Sequence, residues 1–254
     1  MKEDFERRFG GLRRLYGAAA AQRLFGAHVV VVGIGGVGSW AAEALARSGV
    51  ARISLIDMDH VAESNINRQI HASDATLGQA KAEAMRERIL SYHPACAVDV
   101  VDAFVEPDNW MSLLRAIGHP PDGLLDACDQ VRAKETMAAW AAETSSPLVT
   151  VGAAGGKRLA HAVEVADLAD VTHDPLLAQL RYRLRKHHGA RRQGLMGWSC
   201  VFSREAVARP DALCATGPVD GSLNCHGYGS SVSVTATFGL CAAGVLMNML
   251  TQEK

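Results

Sequence analysis

The sequence predicts an α/β fold: a doubly wound, mostly parallel, Rossmann-like sheet whose C-terminal third extends the same sheet. Three observations carry that prediction. His28-Val-Val-Val-Val-Gly33 is an unbroken β-branched run, the pattern of a strand buried on both faces of a parallel sheet. Strand-like and helix-like patterns then alternate to about residue 152, and parallel strands need crossover helices. A glycine-rich turn, Gly33-Ile-Gly35-Gly36-Val-Gly38, joins the first strand to the first crossover helix.

Taken in order, residues 12–25 read as a short helix ahead of the strand at 28–33. The stretch 36–48 is Ala-rich and helical, with Gly49 as its stop. A strand at 51–57 follows, then a helix at 78–91 that ends before Pro94, and a strand at 97–103. The alternation continues as helix 107–117, strand 124–127, helix 131–144 and strand 148–151. After Gly152 the rhythm changes. Residues 161–165 alternate like a strand, Asp174-Pro175 opens a basic helix, 198–203 is another strand, and 209–229 reads as a long loop. One domain is expected over 1–254, with an arm at 1–27, a nucleotide-binding core at 28–152 and a substrate or dimer extension at 153–254.

Composition narrows the function. The 254 residues are 48% hydrophobic and 21% charged, with a formal net charge of −1. Disorder and a wholly basic nucleic-acid binder are excluded, although a local basic patch is not. The six cysteines form no C-x-x-C pair, against both a zinc ribbon and a thioredoxin motif. Residues 1–14 are a charged run with no apolar signal core behind it, so reduced thiols and a cytoplasmic location are expected. Residues 227–250 carry no charge and are long enough to span a bilayer. Their hydroxyls and small apolar residues favour a buried, Ala/Gly-packed helix over membrane insertion.

The glycine loop lets the backbone approach phosphates, with amides at a helix N-terminus aimed at the anion. Asp57 closes the second strand, where an acid accepts bonds from ribose hydroxyls. NAD, FAD and ATP all suit that pair. The arm Asp57-Met-Asp59-His-Val-Ala-Glu-Ser-Asn65-Ile-Asn-Arg68-Gln69, followed by Lys81, separates them. An enzyme that cleaves a triphosphate needs cations on this side of the phosphates; a dinucleotide oxidoreductase or a non-catalytic redox sensor has no general need of them. Asp126 and Asp129 stand just past the fourth strand, where a carboxylate can hold Mg²⁺. Singly, each residue has an ordinary alternative: a solvated Arg68, a surface Lys81, and an Asp129 that caps the helix at 131–144.

These residues resemble the adenylating core of the ubiquitin-activating-enzyme-like superfamily: the GxGGVG loop, the D-x-D-x-V-x-x-S-N-x-N-R-Q arm, the lysine thirteen residues after its arginine, and D-x-x-D, over roughly residues 5–152. Within it the chain is similar to the tRNA threonylcarbamoyladenosine dehydratases. That resemblance rests on Arg8-Phe-Gly-Gly11, Arg14-Leu-Tyr-Gly17, residues 33–46, Asn67–His71, Asp174-Pro-Leu176, Val201-Phe-Ser203 and Val234–Gly239, almost the whole length.

The resemblance implies ATP-dependent activation of a carboxylate on a modified adenosine in tRNA, ring closure with net loss of water, and a homodimer. A sulfur-relay protein is a further partner it leaves open. It implies a nucleotide site of Gly33, Gly35, Gly36, Gly38, Asp57, Asp59, Asn65, Arg68, Gln69 and Lys81. Arg68 and Lys81 would act on the phosphates and Asp129 would hold magnesium. The rival that adenylates the C-terminal glycine of a sulfur-carrier protein commonly shows paired CxxC zinc ligands, which are absent here. Those relatives also supply an N-terminal arginine to the partner's site; the matching register holds Gly11, with Arg8 and Arg13 nearby. A relay cysteine, if there were one, is best placed at Cys225, whereas Cys96, Cys128 and Cys241 look like core residues. Finally, 181–192 holds Arg181, Arg183, Arg185, Lys186, Arg191 and Arg192 with no acid, either an RNA-docking face or a solvated helix end that suits its dipole.

Overall fold

The computed structural model describes residues 2–208 and 228–252. Its centre is β1 (His28–Val32), buried at all five positions. Val29 and Val31 point to one face of the sheet and Val30 and Val32 to the other, the period-two alternation of a pleated strand. Around it lie β2 (Arg52–Ile56), β3 (Ala97–Val101), β4 (Gly123–Asp126), β5 (Leu148–Val151), β6 (Val163–Asp167) and β7 (Ser199–Ser203). The order is β3-β2-β1-β4-β5-β7-β6, parallel except for the β6–β7 pair, in which Val165 opposes Val201. The strand order reverses between β1 and β4, and ligands of such sheets bind beyond the carboxyl ends at that switch point.

Three helices cover one face: α4 (Gly38–Arg47), α5 (Lys81–Tyr92) and α9 (Val232–Thr251), with Leu45, Met85, Ile89, Phe238 and Leu246 in the core. The other face is covered by α6 (Trp110–Ile117), α7 (Val131–Thr144) and α8 (Pro175–His187), through Trp110, Met137, Leu177, Leu180 and Leu184. Asp174 caps α8, its Oδ1 accepting the Leu177 amide at 2.9 Å, so Asp174-Pro175 is the helix start that the sequence predicts.

Some expectations change. The single helix at 12–25 is two, α2 (Gly11–Tyr16) and α3 (Ala18–Gly26), because Gly17 sits at φ 84°, outside helical backbone. The charged run before them is also helical, α1 (Lys2–Phe9), and pins Phe9 against Phe25 and His93. The strand expected at 161–165 is shifted to 163–167. The predicted loop at 209–229, with Cys225, lies almost wholly outside the described residues.

The uncharged C-terminal segment is α9. Length and a mean hydropathy of 1.6 would suit a bilayer, but its contacts make it a core helix. Val234, Phe238, Ala242, Ala243 and Leu246 are fully buried against α4 and the sheet. A Cβ on Gly239 would lie 2.4 Å from the Val37 carbonyl oxygen, so the two backbones meet directly.

Candidate active site

At the switch point a cavity of about 750 Å³ opens between the glycine loop, the crossover arm and the loops after β4 and β5. Gly33, Gly35 and Gly36 line it. Gly38 does not: it lies beneath, where a Cβ would fall 1.7 Å from the Gly33 carbonyl oxygen, and it lets the loop close onto the start of α4. The N-terminus of α4 therefore faces the cavity with its partial positive charge.

Asp57 follows β2 and lines the cavity while nearly buried. Its Oδ2 accepts the Ile34 amide at 2.5 Å and its Oδ1 the Asp59 amide at 2.8 Å. Burial pushes its carboxyl above the usual range, with those two amides pulling the other way. Each oxygen keeps acceptor capacity for ribose hydroxyls.

The crossover arm supplies the cations. Lys81 is the first residue of α5, and its Nζ pairs with Asp59 Oδ2 at 2.7 Å; the lysine is nearly buried while Asp59 is half exposed. Arg68 lies over Gly36, its Cγ and Cδ 3.3 Å from where a Cβ would stand. Its Nη1 donates to the Ser64 carbonyl at 2.5 Å and to Asn67 Oδ1 at 2.8 Å, while its buried Nε has no partner. Gln69 also lines the cavity, its buried Oε1 without a partner. Two orphaned buried polar atoms at a cavity wall suit a polar ligand. Asn65, expected in the pocket, is beneath it instead: its Oδ1 accepts the Ala62 amide at 3.1 Å and its carbonyl accepts the amides of Arg68 and Gln69. It builds the turn that presents Arg68.

The two aspartates after β4 have different fates. Asp126 is fully buried and paired with Lys134 at 3.0 Å. Asp129 lines the cavity, has no ion pair among the described residues, and contacts only Gln130 Nε2 at 3.4 Å. It does not cap α7, whose N-cap is Gln130. A Mg²⁺ ion is usually held by one or two carboxylates, waters and substrate phosphates, so a single unpaired Asp129 beside a phosphate loop fits it. Among the described residues no cluster of His, Cys, Asp and Glu would hold a metal by itself.

Sequence reasoning missed several walls: Phe104–Asp108, Arg132, Gly152–Gly155, Leu176 and Thr235. It also missed Lys134, although that lysine falls on the apolar stripe Met137, Ala138, Ala141 of α7, a periodicity signal for burial. Cys128 is at the cavity, not in the core; burial first, and then the Asp126 charge, keeps its thiol far above the ordinary value and protonated. Cys96 is a core residue, its thiol pushed up to about 12 by burial.

The basic stretch divides. Arg181 Nη1 donates to the carbonyls of Leu168 (3.1 Å) and Val171 (2.7 Å), and Arg183 pairs with Glu135, so these two are architectural. Arg185 reaches the Arg191 carbonyl at 3.1 Å, Lys186 lies 5.7 Å from the ring centre of Tyr182, itself 62% exposed, and Arg191 and Arg192 are exposed. Their end of α8 is about 17 Å along the helix from Leu176 in the cavity wall. Arg8 and Arg13 are engaged within their own chain, Arg8 by the Tyr92 carbonyl (2.6 Å) and Arg13 by Glu6 (2.8 Å).

Known proteins are similar to this chain in sequence and fold. A tRNA threonylcarbamoyladenosine dehydratase of Escherichia coli (strain K12) is 46% identical over 251 residues, 95% of this chain and 92% of that one. The solved structure of E. coli TcdA, a tRNA N6-threonylcarbamoyladenosine dehydratase in complex with ATP, is similar with a TM-score of 0.85 at 44% identity, covering 96% of this chain and 94% of that one. A molybdopterin-synthase adenylyltransferase of Salmonella typhimurium is 37% identical over only 124 residues, 49% of this chain and 48% of that one. Residues 9–254 match the ThiF family model, and the chain belongs to the ThiF family.

Proposed function

We propose that this chain is an ATP-dependent dehydratase that adenylates the carboxylate of threonylcarbamoyladenosine in tRNA and cyclises it, releasing AMP and pyrophosphate. The carrying observation is similarity along nearly the whole length to dehydratases of that name, whereas the molybdopterin-synthase adenylyltransferase matches over only 49% of the chain. A carboxylate is a poor acyl donor. Its oxygen attacks the α-phosphorus of ATP, pyrophosphate leaves, and an acyl-adenylate forms. A nucleophile already on the same modified base then displaces AMP, and proximity supplies much of that step.

In this reading the glycine loop and the α4 N-terminus take the phosphates, Asp57 the ribose, and Arg68 and Lys81 the charge that builds on the leaving pyrophosphate. Lys81 is held by Asp59 until phosphate competes for it. Asp129, with the phosphates, would hold Mg²⁺, which supplies further charge neutralisation. The protonated Cys128 takes no part, in keeping with a ring closure that needs no thioester. Arg185, Lys186, Arg191 and Arg192 would dock tRNA phosphates. One adenylating domain over 1–254, a cytoplasmic homodimer, and transient assistance from a sulfur-relay protein complete the proposal. The apolar residues Val232 and Leu240 left exposed on α9 suit a second copy of the chain.

The test is incubation with ATP, Mg²⁺ and tRNA bearing threonylcarbamoyladenosine, followed by mass spectrometry of the nucleosides. A product lighter by one water, formed with AMP, is expected. ATP consumption only with a sulfur-carrier protein ending in glycine would transfer the assignment to that rival, and NAD binding in preference to ATP would overturn both.

A further inference from the structure

Beneath the cavity lies a charged network that this chemistry does not use. Lys134 of α7 is fully buried, and its Nζ donates to Asp126 Oδ1 at 3.0 Å and to the Val151 carbonyl at 2.8 Å, with Thr150 Oγ1 at 3.4 Å. The Thr150 hydroxyl donates to Asp126 Oδ2 at 2.5 Å. Asp126 Oδ1 also accepts the Cys128 amide at 3.2 Å and its thiol at 3.1 Å. The network joins the carboxyl ends of β4 and β5 to α7. Those ends lead directly into two neighbouring stretches of the cavity wall, 127–130 with Asp129 and 152–155.

Stability alone is a poor reason for such a pair. Removing both charges from water costs more than their attraction returns unless the geometry is excellent, and well-packed apolar replacements are often neutral or stabilising. What the pair does provide is a fixed distance between two loops. The Ala127 amide is bonded to the Val32 carbonyl at 2.9 Å, a backbone bond that ties the start of the same turn to the strand before the glycine loop.

We propose that Lys134 is a positioning residue: through Asp126 and Thr150 it holds the 126–129 turn so that Asp129 faces the triphosphate, and sets the spacing between that turn and the neighbouring wall at 152–155. This rests on the reading that Asp129 meets the phosphates of ATP. A displaced Asp129 should slow the chemical step while leaving intact the binding of AMP, which lacks the β- and γ-phosphates.

The experiment compares wild type, the double variant Asp126→Asn/Lys134→Met, Lys134→Arg and Thr150→Val, with thermal melting, AMP affinity, and kcat and KM for cyclisation measured on each. The double variant should melt near wild type and keep AMP affinity within about threefold, yet lose kcat by roughly tenfold to a hundredfold, the scale of a small misplacement at a reacting centre. Lys134→Arg, which keeps the charge but enlarges a fully buried side chain, should lose less kcat than the double variant. If the double variant does not fold, Thr150→Val, which removes one hydroxyl and little volume, should still lower kcat by roughly threefold or more without weakening AMP binding. A folded double variant with wild-type kcat, parallel losses of AMP affinity and kcat, or a Lys134→Arg as slow as the double variant would each overturn the proposal. A wild-type protein that consumes no ATP with the modified tRNA would remove the parent reading instead, and this proposal with it.

Discussion

Arg68 and Lys81 come to one cavity from two ends of a single crossover, and both are held by neighbours of modest strength. Arg68 is held by a carbonyl and an amide oxygen, Lys81 by a half-exposed carboxylate whose contribution to stability is small. Their removal should therefore strike chemistry more than folding. Arg68→Ala and Lys81→Ala are each expected to lower kcat/KM by about 10²–10³, as when one transition-state donor is lost. Circular dichroism and melting should remain close to wild type, and full activity in both variants would refute the site. Both residues were legible in the sequence because the arm motif ending in Asn-Arg-Gln, with a lysine thirteen residues after its arginine, marks them. The choice of Asp129 over Asp126 came from the resemblance alone: they are three residues apart, and only Lys134 of α7, paired with Asp126, gives the physical reason. His71 was equally hidden. Burial first, and then the charges of Lys81 and Arg88, lower its pKa to about 4, and neither ring nitrogen has a partner. As pH falls below about 6.5 the unfolded chain takes up a proton that the folded chain refuses until pH 4. Stability is therefore lost across that window and the loss levels off below it. Between pH 7.5 and pH 5 this site should cost about 2 kcal/mol. Urea unfolding of wild type and His71→Gln at both values should show that difference; equal losses would refute it.

At the scale of elements, the strands with a single hydrophobic reading were found almost to the residue, as at β5, while α1 to α3 were not. Periodicity made 12–25 one amphipathic run and gave no weight to a glycine whose backbone leaves the helical region. The charged run before it looks solvated until Phe5 and Phe9 find Phe25 and His93, which are distant in sequence. Helix α8 shows the same limit for function. The six cations of 181–192, four of them on α8, are alike in sequence, but Arg181 turns to two carbonyls and Arg183 to Glu135 of α7. The division has a measurable consequence. Replacing Arg185, Lys186, Arg191 and Arg192 by alanine should weaken tRNA binding and reduce the slope of log affinity against log salt by about three. Arg181→Ala should instead lower the melting temperature and leave that slope unchanged. A wild-type slope in the quadruple variant would place the tRNA elsewhere.

On the scale of the whole molecule, the cavity belongs to both halves of the sheet. The first half supplies the glycine loop and Asp57. The second supplies the Gly152–Gly155 wall, which Asp174 fastens to the start of α8 by accepting the Ala153 amide at 2.8 Å. Thr235 of α9 closes the remaining side, its methyl 3.3 Å from where a Cβ on Gly36 would stand. The packing of α9 on α4 thus sets the height of the wall above the phosphate loop as well as filling the core. Phe238, one helical turn below Thr235 and fully buried, is the lever. Phe238→Ala should cost about 3–5 kcal/mol through lost burial and the cavity left behind. In a domain of this size each kcal/mol moves the melting temperature by about 2–4 °C, so a fall of roughly 10 °C is expected. Because the same change loosens Thr235, ATP affinity should weaken as well. The stabilisation by ATP, about 2.7 kcal/mol at a hundredfold excess over Kd and read as a rise in melting temperature, should be smaller for the variant at the same ATP concentration. Melting curves with and without ATP measure both effects at once. An unchanged melting temperature would show that α9 is not part of the core, and a large fall with wild-type ATP affinity would separate the core from the wall.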